Sequence, residues 1–516
     1  MKIWNKILGS KSLPSSDGTF IVEPVDSNIS IHQVSIYSHI ISRAKNLTPV
    51  FLTDIDNDLR LKKLLSRYFD HGSFKIKHRP KLLVINKVYL FITSCYLWLL
   101  SRRKKKIIEL KYKGMFVGDI VYDQYLAAHS RGTIDCFDIR LAKIIYQIIS
   151  AIEVSRKVLN DNKPKAILLS HMVGLSSAPL SLVSEEMGAP IYKFAGQCYG
   201  TLLCSNKRKK YFYIANSDEL KPLLNLPKNV FDNLFEKISD QTFSGKFNRD
   251  SKLAFSNSII TNRTQFYEKY NLDAKKKNVF IMLHAFNDYP HSHFNGMLFD
   301  DFLDWFLKTL EYASKNQSVN WIIKEHPSSK FYPVEDVDWA KLKMKYSSKN
   351  IIFLSVSSDF NSKSIGLCGD AIITCNGTAG YEFSALYGIP SITAGDNSYA
   401  ESGFAIYPRT REDYFKVLDK VESLGLLSEE EQKKAKATFL YIHRFSRVPL
   451  SANLNLTQAE HKSLQYDDNF FDMIDDNAVE NEELIKVQLK TYIELVAKSN
   501  FQALRTDVNK YLKLED

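Results

Sequence analysis

The residues best suited to chemistry include a lysine and a histidine at the end of an apolar run, in IIKEHPSS (residues 322–329). Lys324 and His326 leave a predicted strand two residues apart, so their side chains share one face of the extended chain. An ammonium group beside an imidazole donor suits the oxygen atoms of a phosphate. We therefore predict that Lys324 and His326 bind a phosphate group, with a purely structural role for His326 as the alternative.

A glycine-containing turn follows in CNGTAGYEFSALYGIPSIT (residues 375–393). The turn itself consists of Asn376, Gly377, Thr378, Ala379 and Gly380. Small residues let backbone N–H groups approach an anion, and the dipole of the following helix favours negative charge. Glu382, in the first turn of that helix, is placed to accept hydrogen bonds from a ribose. The glycine spacing matches neither a P-loop nor a dinucleotide motif, and a merely structural turn is the alternative.

Carboxylates with the spacing of one helical face occur in KGMFVGDIVYDQYL (residues 113–126), at Asp119 and Asp123. Such carboxylates can act as a general base that takes the proton of a hydroxyl group, or can stabilise a cationic reaction centre, and either residue could serve. The alternative is that Asp119 caps a helix beginning near Ile120. His171 ends the predicted strand AILLSH and is a further candidate base or acceptor contact.

Four more candidate ligands lie in HAFNDYPHSH, namely His284, Asp288, His291 and His293. Their spacing matches no standard zinc pattern and no cysteine lies close, so we predict no metal site. His284 is a candidate catalytic residue at a strand end, and Asp288 and His291 are candidate substrate contacts. A hydrogen-bonded loop without contact to substrate is the alternative.

The elements that would position these residues alternate between short β-branched runs and longer helical patterns, which predicts an α/β fold with parallel sheets. The predicted strands cover residues 20–24, 49–53, 166–171, 189–195, 278–286, 320–327, 351–355, 370–377 and 390–395. Ligands of such sheets bind beyond the carboxyl ends of the strands. From residue 427 the pattern is helical, with a capping box at Ser428 and Glu431 and a final helix over about 480–512.

One apolar stretch, Val88 to Leu100, is followed directly by the basic run Arg102 to Lys106. As a helix it would reach about 20 Å, which is too short for a hydrocarbon core of about 30 Å. Two interpretations remain open: a buried core helix with a solvated basic end, or a surface anchor whose cations meet anionic headgroups.

The amino-acid composition excludes several classes of protein. The 516 residues are 45% hydrophobic and 25% charged, which excludes disordered and collagen-like chains. Six scattered cysteines without a CxxC pair indicate reduced thiols, and we expect no export signal at the N-terminus. A net charge of +11 favours anionic partners, but no nucleic-acid-binding motif is present. Hydrolase chemistry is disfavoured because there is no GxSxG elbow and Cys198 has no basic neighbour in sequence.

The succession of LHAFND, KEHP and NGTAGYEFSALYGIP resembles the carboxyl-terminal half of bacterial capsule and surface-polysaccharide glycosyltransferases of the GT-B fold, nearest to capsule β-Kdo transferases. The resemblance covers about residues 275–415. It implies two Rossmann-type domains facing a central cleft, with a nucleotide-sugar donor in the second. It also implies that Lys324 and His326 face the phosphate, that Thr378 to Gly380 face phosphate or ribose, and that Glu382 faces the ribose.

These observations together predict an acceptor domain over residues 1–270, a donor domain over 271–425 and a helical brace over 426–516. The expected activity is transfer of a sugar, first Kdo from CMP-Kdo, to a capsule or lipopolysaccharide glycan or glycolipid. The alternatives are a UDP-sugar transferase, a CDP-polyol phosphotransferase, or a non-catalytic glycan- or lipid-binding subunit. We expect no cofactor or metal, and a cytoplasmic protein that is either free of the membrane or in peripheral contact with its inner face.

Overall fold

Two parallel β-sheets organise the chain in the computed structural model. It describes residues 2–9, 17–24, 27–53, 58–195, 201–205, 215–243, 254–255, 258–291, 296–446, 450, 452, 454 and 463–498. The strands are β1 (Thr19–Val22), β2 (Thr48–Thr53), β3 (Lys75–His78), β4 (Lys111–Tyr112), β5 (Met115–Phe116), β6 (Ala166–Leu169), β7 (Ile191–Ala195), β8 (Thr201–Ser205), β9 (Asn278–Met282), β10 (Gly296–Met297), β11 (Asn320–Lys324), β12 (Ile351–Leu354), β13 (Ala371–Thr374), β14 (Ser391–Thr393) and β15 (Gly395–Asp396).

Helices cover both sheets and form the carboxyl-terminal part of the described chain. They are α1 (Lys2–Leu8), α2 (Asn28–Lys45), α3 (Asp58–Leu65), α4 (Val84–Leu100), α5 (Lys104–Ile108), α6 (Gly118–Ala128), α7 (Arg140–Asn162), α8 (Gly174–Glu186), α9 (Ser217–Leu224), α10 (Lys228–Phe243), α11 (Arg263–Tyr270), α12 (Phe302–Lys315), α13 (Trp339–Tyr346), α14 (Ile365–Cys368), α15 (Ala379–Tyr387), α16 (Arg411–Leu418), α17 (Glu429–Leu440), α18 (Asn469–Glu480) and α19 (Glu482–Lys498). A π-helix, Tyr441–Phe445, extends α17, and short 3₁₀-helices occupy Pro327–Lys330, Ser362–Ser364 and Val421–Ser423.

The strand order is the same in both sheets. The first runs β3-β2-β1-β6-β7-β8, with β8 antiparallel to β7 and the other pairs parallel. The second runs β12-β11-β9-β13-β14 and is parallel throughout. In each sheet the chain first builds outward on one side and then returns to the other side of its first strand, as in Rossmann-type folds. The predicted α/β fold with two Rossmann-type sheets is confirmed, and we call each sheet with its helices the first and the second unit.

Alternation along the strands explains why both sheets are covered on both faces. In β9, Val279 and Ile281 pack in the core under α12, whereas Phe280 packs on the opposite face with Phe383 of α15. Strands that are buried on both faces read as continuous apolar runs, which is how β9 could be predicted from its sequence. The sheets therefore hold their carboxyl edges at fixed positions, where the candidate residues lie.

The two units meet around one buried carboxylate, Asp301, which is the N-cap of α12. Its Oδ2 accepts hydrogen bonds from Tyr122 Oη at 2.5 Å and Thr133 Oγ1 at 2.5 Å, and Lys104 Nζ lies at 3.4 Å. All three donors belong to the first unit. The loops after β6 and β9 also approach one another closely. A Cβ atom built on Gly174, after β6, would lie 3.9 Å from the hydroxyl group of Tyr289, after β9. The carboxyl edges of the two sheets therefore face one another across a cleft.

Helices near the carboxyl terminus contact both units. The helices α18 and α19 bury Phe470, Ile485 and Tyr492 in the core of the first unit. In contrast, α17 shares a core with α15, α9 and α10. The predicted capping box of α17 is present at Ser428 and Glu431. The domain boundaries at 270 and 425 stay predictions, and residues 499–512 of the predicted final helix lie outside the described residues.

The apolar stretch before the basic run forms α4, and most of this helix is exposed. Only Leu90 and Ser94 of α4 are buried, so the interpretation as a buried core helix is wrong. The physical reason is that α4 touches the rest of the first unit along a single stripe, mainly against α7. Within the described chain, no helix combines the length and the apolar character needed to cross a bilayer.

Candidate functional site at the carboxyl edge of the second sheet

Three adjacent strands of the second sheet place candidate site residues at one carboxyl edge. Lys324 is the last residue of β11, His284 follows β9 by two positions, and Asn376 follows β13 by two positions. The strands β11, β9 and β13 are neighbours in that order. The edge between β9 and β13 is where the strand order reverses, which is the usual ligand position in such sheets. The structure thus brings together residues that are far apart in sequence.

His284 is a neutral hydrogen-bonding group at the centre of this edge. Its Nε2 accepts the backbone N–H of Asn376 at 3.1 Å and lies 3.3 Å from the Thr374 hydroxyl. The ring stacks on Phe302, with centroids 4.1 Å apart. Burial, with a smaller contribution from nearby His326, lowers the pKa of His284 to about 3. Because Nε2 is an acceptor, the proton of the neutral ring resides on Nδ1.

Lys324 is a buried cation at the end of β11, with 9% of its surface exposed. Burial lowers its pKa to about 8, and the charge of Glu325 opposes this shift. Among the described residues, no carboxylate or hydrogen-bond acceptor pairs with its Nζ. His326 caps the following 3₁₀-helix, and its Nδ1 accepts the N–H of Ser328 at 3.1 Å. Because Nδ1 of His326 is an acceptor, the ring proton lies on Nε2, which is the nitrogen that can donate a hydrogen bond.

The turn after β13 is held by contacts that only glycine permits. Gly377 donates its N–H to Thr374 Oγ1 at 3.1 Å, and its carbonyl accepts the Tyr399 hydroxyl at 2.7 Å. A Cβ at Gly380 would lie 2.1 Å from that same hydroxyl, so any larger residue would displace Tyr399 or the helix. The helix α15 can therefore begin directly against the strand end, as predicted from the small residues of the turn.

Several polar groups at this turn are not satisfied by the protein. Both side-chain polar atoms of Asn376 are buried without a hydrogen-bond partner. Within the described residues, the backbone N–H groups of Thr378 and Ala379 at the start of α15 also have no acceptor. Burial raises the pKa of Glu382, in the first turn, to about 7, although Thr378 donates a hydrogen bond to it. Unsatisfied donors at a helix start are suited to an anion.

The candidate carboxylates of the first unit lie on α6. Both Asp119 and Asp123 are buried. The helix begins at Gly118 with Val117 as its N-cap, so the interpretation of Asp119 as the cap is wrong. Asp123 receives the backbone N–H of His291 on both oxygens at 3.1 Å, which ties α6 to the loop after β9.

The loop after β9 contains the remaining candidate contacts. Asp288 is exposed, and the ring of His291 packs edge-on against Tyr122, with centroids 4.6 Å apart. His293 lies outside the described residues. In the described part of the chain, no group of three or more His, Cys, Asp or Glu side chains is arranged to hold a metal ion.

The carboxyl edge of the first sheet carries a different arrangement. Glu23, after β1, is buried and pairs with Arg79, while Ser177 donates a hydrogen bond to its other oxygen at 2.6 Å. His171, after β6, is exposed, and its Nδ1 lies 2.8 Å from Ser170 Oγ. Desolvation lowers the pKa of His171, and the Lys193 ammonium group adds to this.

A cavity of about 610 Å³ opens beside Arg79. It is lined by Thr53, His78, Arg79, Pro80, Lys81, Ala151, Val154, Leu175 and Ser176. Sequence reasoning missed this region, although a glutamate that ends an apolar strand, as in FIVEP, is a usable signal for Glu23. It also missed Tyr399 and Asp301, whose partners lie far away along the chain.

Comparisons with known proteins support no family assignment. No protein-family model and no curated protein matches the chain. Solved structures that align with it include a β-Kdo 2,4 transferase of Thermosulfurimonas dismutans, at 13% identity and a TM-score of 0.32, over 53% of this chain and 79% of that one. UDP-GlcNAc 2-epimerase from Neisseria meningitidis, bound to UDP-GlcNAc, aligns at 11% identity and a TM-score of 0.20, over 91% and 100%.

A glycosyltransferase of Streptomyces sp., in complex with thymidine diphosphate, aligns at 8% identity and a TM-score of 0.23, over 83% of this chain and 99% of that one. These structural neighbours thus include both glycosyltransferases and sugar epimerases. At such low similarity, the strand order of the two sheets defines the architecture, and the chemistry has to come from the residues of the chain itself.

Proposed function

We propose that the chain is a glycosyltransferase that binds a nucleotide-activated sugar at the carboxyl edge of the second sheet. The observation that carries the proposal is Lys324, a buried cation without an ion pair among the described residues, at the same carboxyl edge of the sheet as the start of α15 with its unbonded N–H groups. A buried charge without a partner is destabilising, so its presence at a ligand-binding edge indicates that an anion completes the site.

The proposed chemistry rests on charge stabilisation of the leaving phosphate. The ammonium group of Lys324, Nε2–H of His326 and the free N–H groups of α15 offer donors to that phosphate as negative charge develops on it. His284 is neutral, and its Nε2 is engaged by the Asn376 N–H. We therefore assign to it a positioning role, with Nδ1–H as a hydrogen-bond donor. With these groups present, the proposed transfer needs no divalent metal or other cofactor.

The proposed acceptor site lies on the first unit. The cavity beside Arg79 and the exposed His171 are on the carboxyl edge that faces the second unit. The lowered pKa of His171 favours its neutral form, which can accept a proton from an acceptor hydroxyl. Asp119 is 2% exposed and Asp123 already receives the His291 N–H, so we place both behind His171 as candidate bases.

The proposed donor is CMP-Kdo, followed by UDP-sugars and CDP-polyols, and the proposed acceptor is a capsule or lipopolysaccharide glycan on the cytoplasmic side of the membrane. This choice rests on the resemblance of the KEHP and NGTAGYEFSALYGIP motifs. Unfolding temperatures measured with CMP, UDP, CDP and GDP test it first. A nucleotide present at 100 times its dissociation constant should stabilise the fold by about 2.7 kcal/mol.

Hydrolysis and transfer assays with the nucleotide sugar that binds then test catalysis. We expect His326→Ala to lose most of the transfer activity, whereas the matched control His71→Ala, at an exposed histidine in the loop before β3, keeps it. Addition of EDTA should not lower the rate. If none of the four nucleotides raises the unfolding temperature, the donor site is wrong. If one binds but its sugar is neither transferred nor released, the chain is a binding subunit.

A further inference from the structure

A large apolar surface lies outside the candidate site, on the first unit. It consists of Leu83, Val84, Ile85, Val88, Tyr89, Phe91, Ile92, Tyr96, Leu99 and Leu100, with Phe137 and Ile139 beside the end of α4, and we call it the α4 face. Each of these side chains is more than half exposed, from 54% for Val88 to 76% for Val84. Contiguous apolar surface of this extent on a water-soluble protein marks an interaction site.

The α4 face belongs to a helix that is firmly attached to the protein by its other side. Leu90 is buried in the core of the first unit, and Leu97 and Trp98 pack against that core. At the border of the α4 face, Phe91 also contacts Tyr146 of α7, with ring centroids 6.4 Å apart. The exposed side chains are therefore presented by a fixed element, and the helix needs no further contact within the described chain.

Positive charge flanks α4 along the chain. Residues 81–111 contain eight Lys and Arg residues, and Glu109 is the one acidic residue among them. Lys105 and Lys106 lie within 4 Å of Glu109, at 3.9 and 3.5 Å. In the described residues, no acidic group pairs with Lys87 or Arg103. The carboxyl end of the face is thus a strongly cationic rim.

Arg102 joins the apolar and cationic parts of this surface. Its guanidinium group lies 4.0 Å from the centre of the Trp98 ring and 5.3 Å from that of Phe137. Aromatic and long cationic side chains are the residues that favour the boundary between lipid and water. Tyr89 and Tyr96, on the α4 face itself, have the same amphipathic character.

We propose that the α4 face binds the surface of an anionic lipid bilayer, with α4 lying in the plane of the membrane. At 17 residues the helix is about 25 Å long, shorter than a hydrocarbon core of about 30 Å, so it lies on the membrane rather than across it. A second copy of the chain is the less suitable occupant, because residues 81–111 of a symmetric partner would offer one acidic residue, Glu109, to the eight cations of this surface. Anionic headgroups instead neutralise the rim while the apolar side chains enter the lipid.

The proposed membrane contact also places the cleft near the bilayer. Lys104 belongs to the basic run after α4, and its Nζ lies 3.4 Å from Asp301, the N-cap of α12. The next residue, Phe302, stacks on His284 at the carboxyl edge of the second sheet. The membrane surface and the proposed donor site are therefore joined by a short set of direct contacts.

Sedimentation with lipid vesicles tests the proposal without any reference to catalysis. The full chain should sediment with vesicles of phosphatidylglycerol and phosphatidylcholine, and much less with phosphatidylcholine alone. The double variant Val88→Asp, Ile92→Asp should reduce binding at least tenfold, since two charges would enter the lipid boundary. The double variant Lys87→Glu, Arg103→Glu should reduce it about tenfold or more at low salt, because each cation near an anionic surface contributes appreciably to binding.

The matched control is Met344→Asp, Leu426→Asp, which introduces the same charges at exposed apolar residues outside the α4 face. This control should sediment like the wild-type chain, and thermal unfolding should show that all variants are folded. A wild-type chain that stays in the supernatant with anionic vesicles would overturn the proposal. Light scattering that reveals a dimer, lost in Val88→Asp, Ile92→Asp, would do so too and would identify a second copy as the occupant. Nucleotide binding is measured separately and does not depend on this outcome.

Discussion

The two sheets have corresponding strand orders, but the buried charged groups at their carboxyl edges differ in whether they have ion-pair partners. On the first sheet, Glu23 is buried with Arg79 as its ion-pair partner and Ser177 as a further donor. On the second sheet, Lys324 is buried without an ion pair in the described chain, and burial raises the pKa of Glu382 to about 7. The first sheet also contains a buried lysine near His171, Lys193, whose pKa is lowered by burial to about 8. The two edges therefore differ in how many of their buried charges are paired.

This comparison indicates at which edge the buried charges are already paired when no ligand is bound. A buried ion pair with its hydrogen bonds is satisfied within the fold, and removing one partner leaves a buried charge. A lone buried cation and a buried, partly protonated glutamate both lower the free energy of unfolding. Removing either group should therefore not destabilise the fold, but it should weaken ligand binding. Substitutions at the two edges should therefore have opposite effects on stability.

The largest effect is expected from Arg79→Met at the first edge. Glu23 would then remain buried without its cation, which should lower the free energy of unfolding by about 3 kcal/mol. Nucleotide affinity should stay within about twofold of wild type, because the donor edge is unchanged. Urea denaturation and nucleotide titration measure the two quantities. An unaltered unfolding curve would show that the pair is not a buried ion pair in solution.

The second effect is expected from Lys324→Met, which should weaken nucleotide binding about 100-fold, or about 2.7 kcal/mol. The pKa of Lys324 is about 8 in the fold against 10.5 as a free side chain, so stability attributable to this group rises with pH across that interval. The variant should therefore unfold at higher denaturant concentration than wild type at pH 7, and the difference should shrink towards pH 10.

A matched control for Lys324→Met is Lys308→Met, because Lys308 is partly exposed on α12 and its Nζ lies 2.8 Å from Asp304. This change should leave nucleotide binding unaltered and stability almost unaltered. Calorimetry in buffers of different ionisation enthalpy adds an independent measurement, since a phosphate that raises the pKa of Lys324 should cause proton uptake near pH 8. Binding without proton uptake, and with normal affinity in Lys324→Met, would contradict the assigned role.

The smallest effect is expected from Glu382→Gln. Because the pKa of Glu382 is raised, to about 7, its protonated form favours the fold below pH 4.5, and that contribution disappears as the pH rises through 7. The variant should lose this dependence and be more stable than wild type by about 1–2 kcal/mol at pH 8. Denaturation at pH 5 and pH 8 provides the measurement. A difference of the same size at both values would argue against a raised pKa.

Most of the fold could be predicted because apolar β-branched runs identify parallel strands that are covered on both faces. The strand β3 escaped prediction, since Lys75 and His78 are exposed and the run is polar. The exposure of α4 could not be predicted either, because an apolar run of that length suits both a core helix and a surface helix. Only the position of α7 and the core of the first unit decides which face of α4 is covered.

The meeting of the proposed donor residues at one edge was predictable for a topological reason. Carboxyl ends of neighbouring parallel strands meet at one edge, so KEHP and NGTAG had to lie close together once their strands were identified. The Glu23–Arg79 pair was not predictable in this way, because its members are 56 positions apart and neither belongs to a recognisable motif. The orphaned carboxamide of Asn376 depends on packing against Gly395, which no spacing rule reveals.

Asp301 has a mechanical consequence for the cleft. One carboxylate receives Tyr122 and Thr133 from the first unit and, through its other oxygen, the N–H of Asp304 at 2.7 Å. Separating the units at this corner would strip a buried anion of its donors and loosen the start of the helix that supports His284. Movement of the two sheets relative to one another is therefore opposed at this corner, where the position of α12 and that of the first unit depend on the same carboxylate.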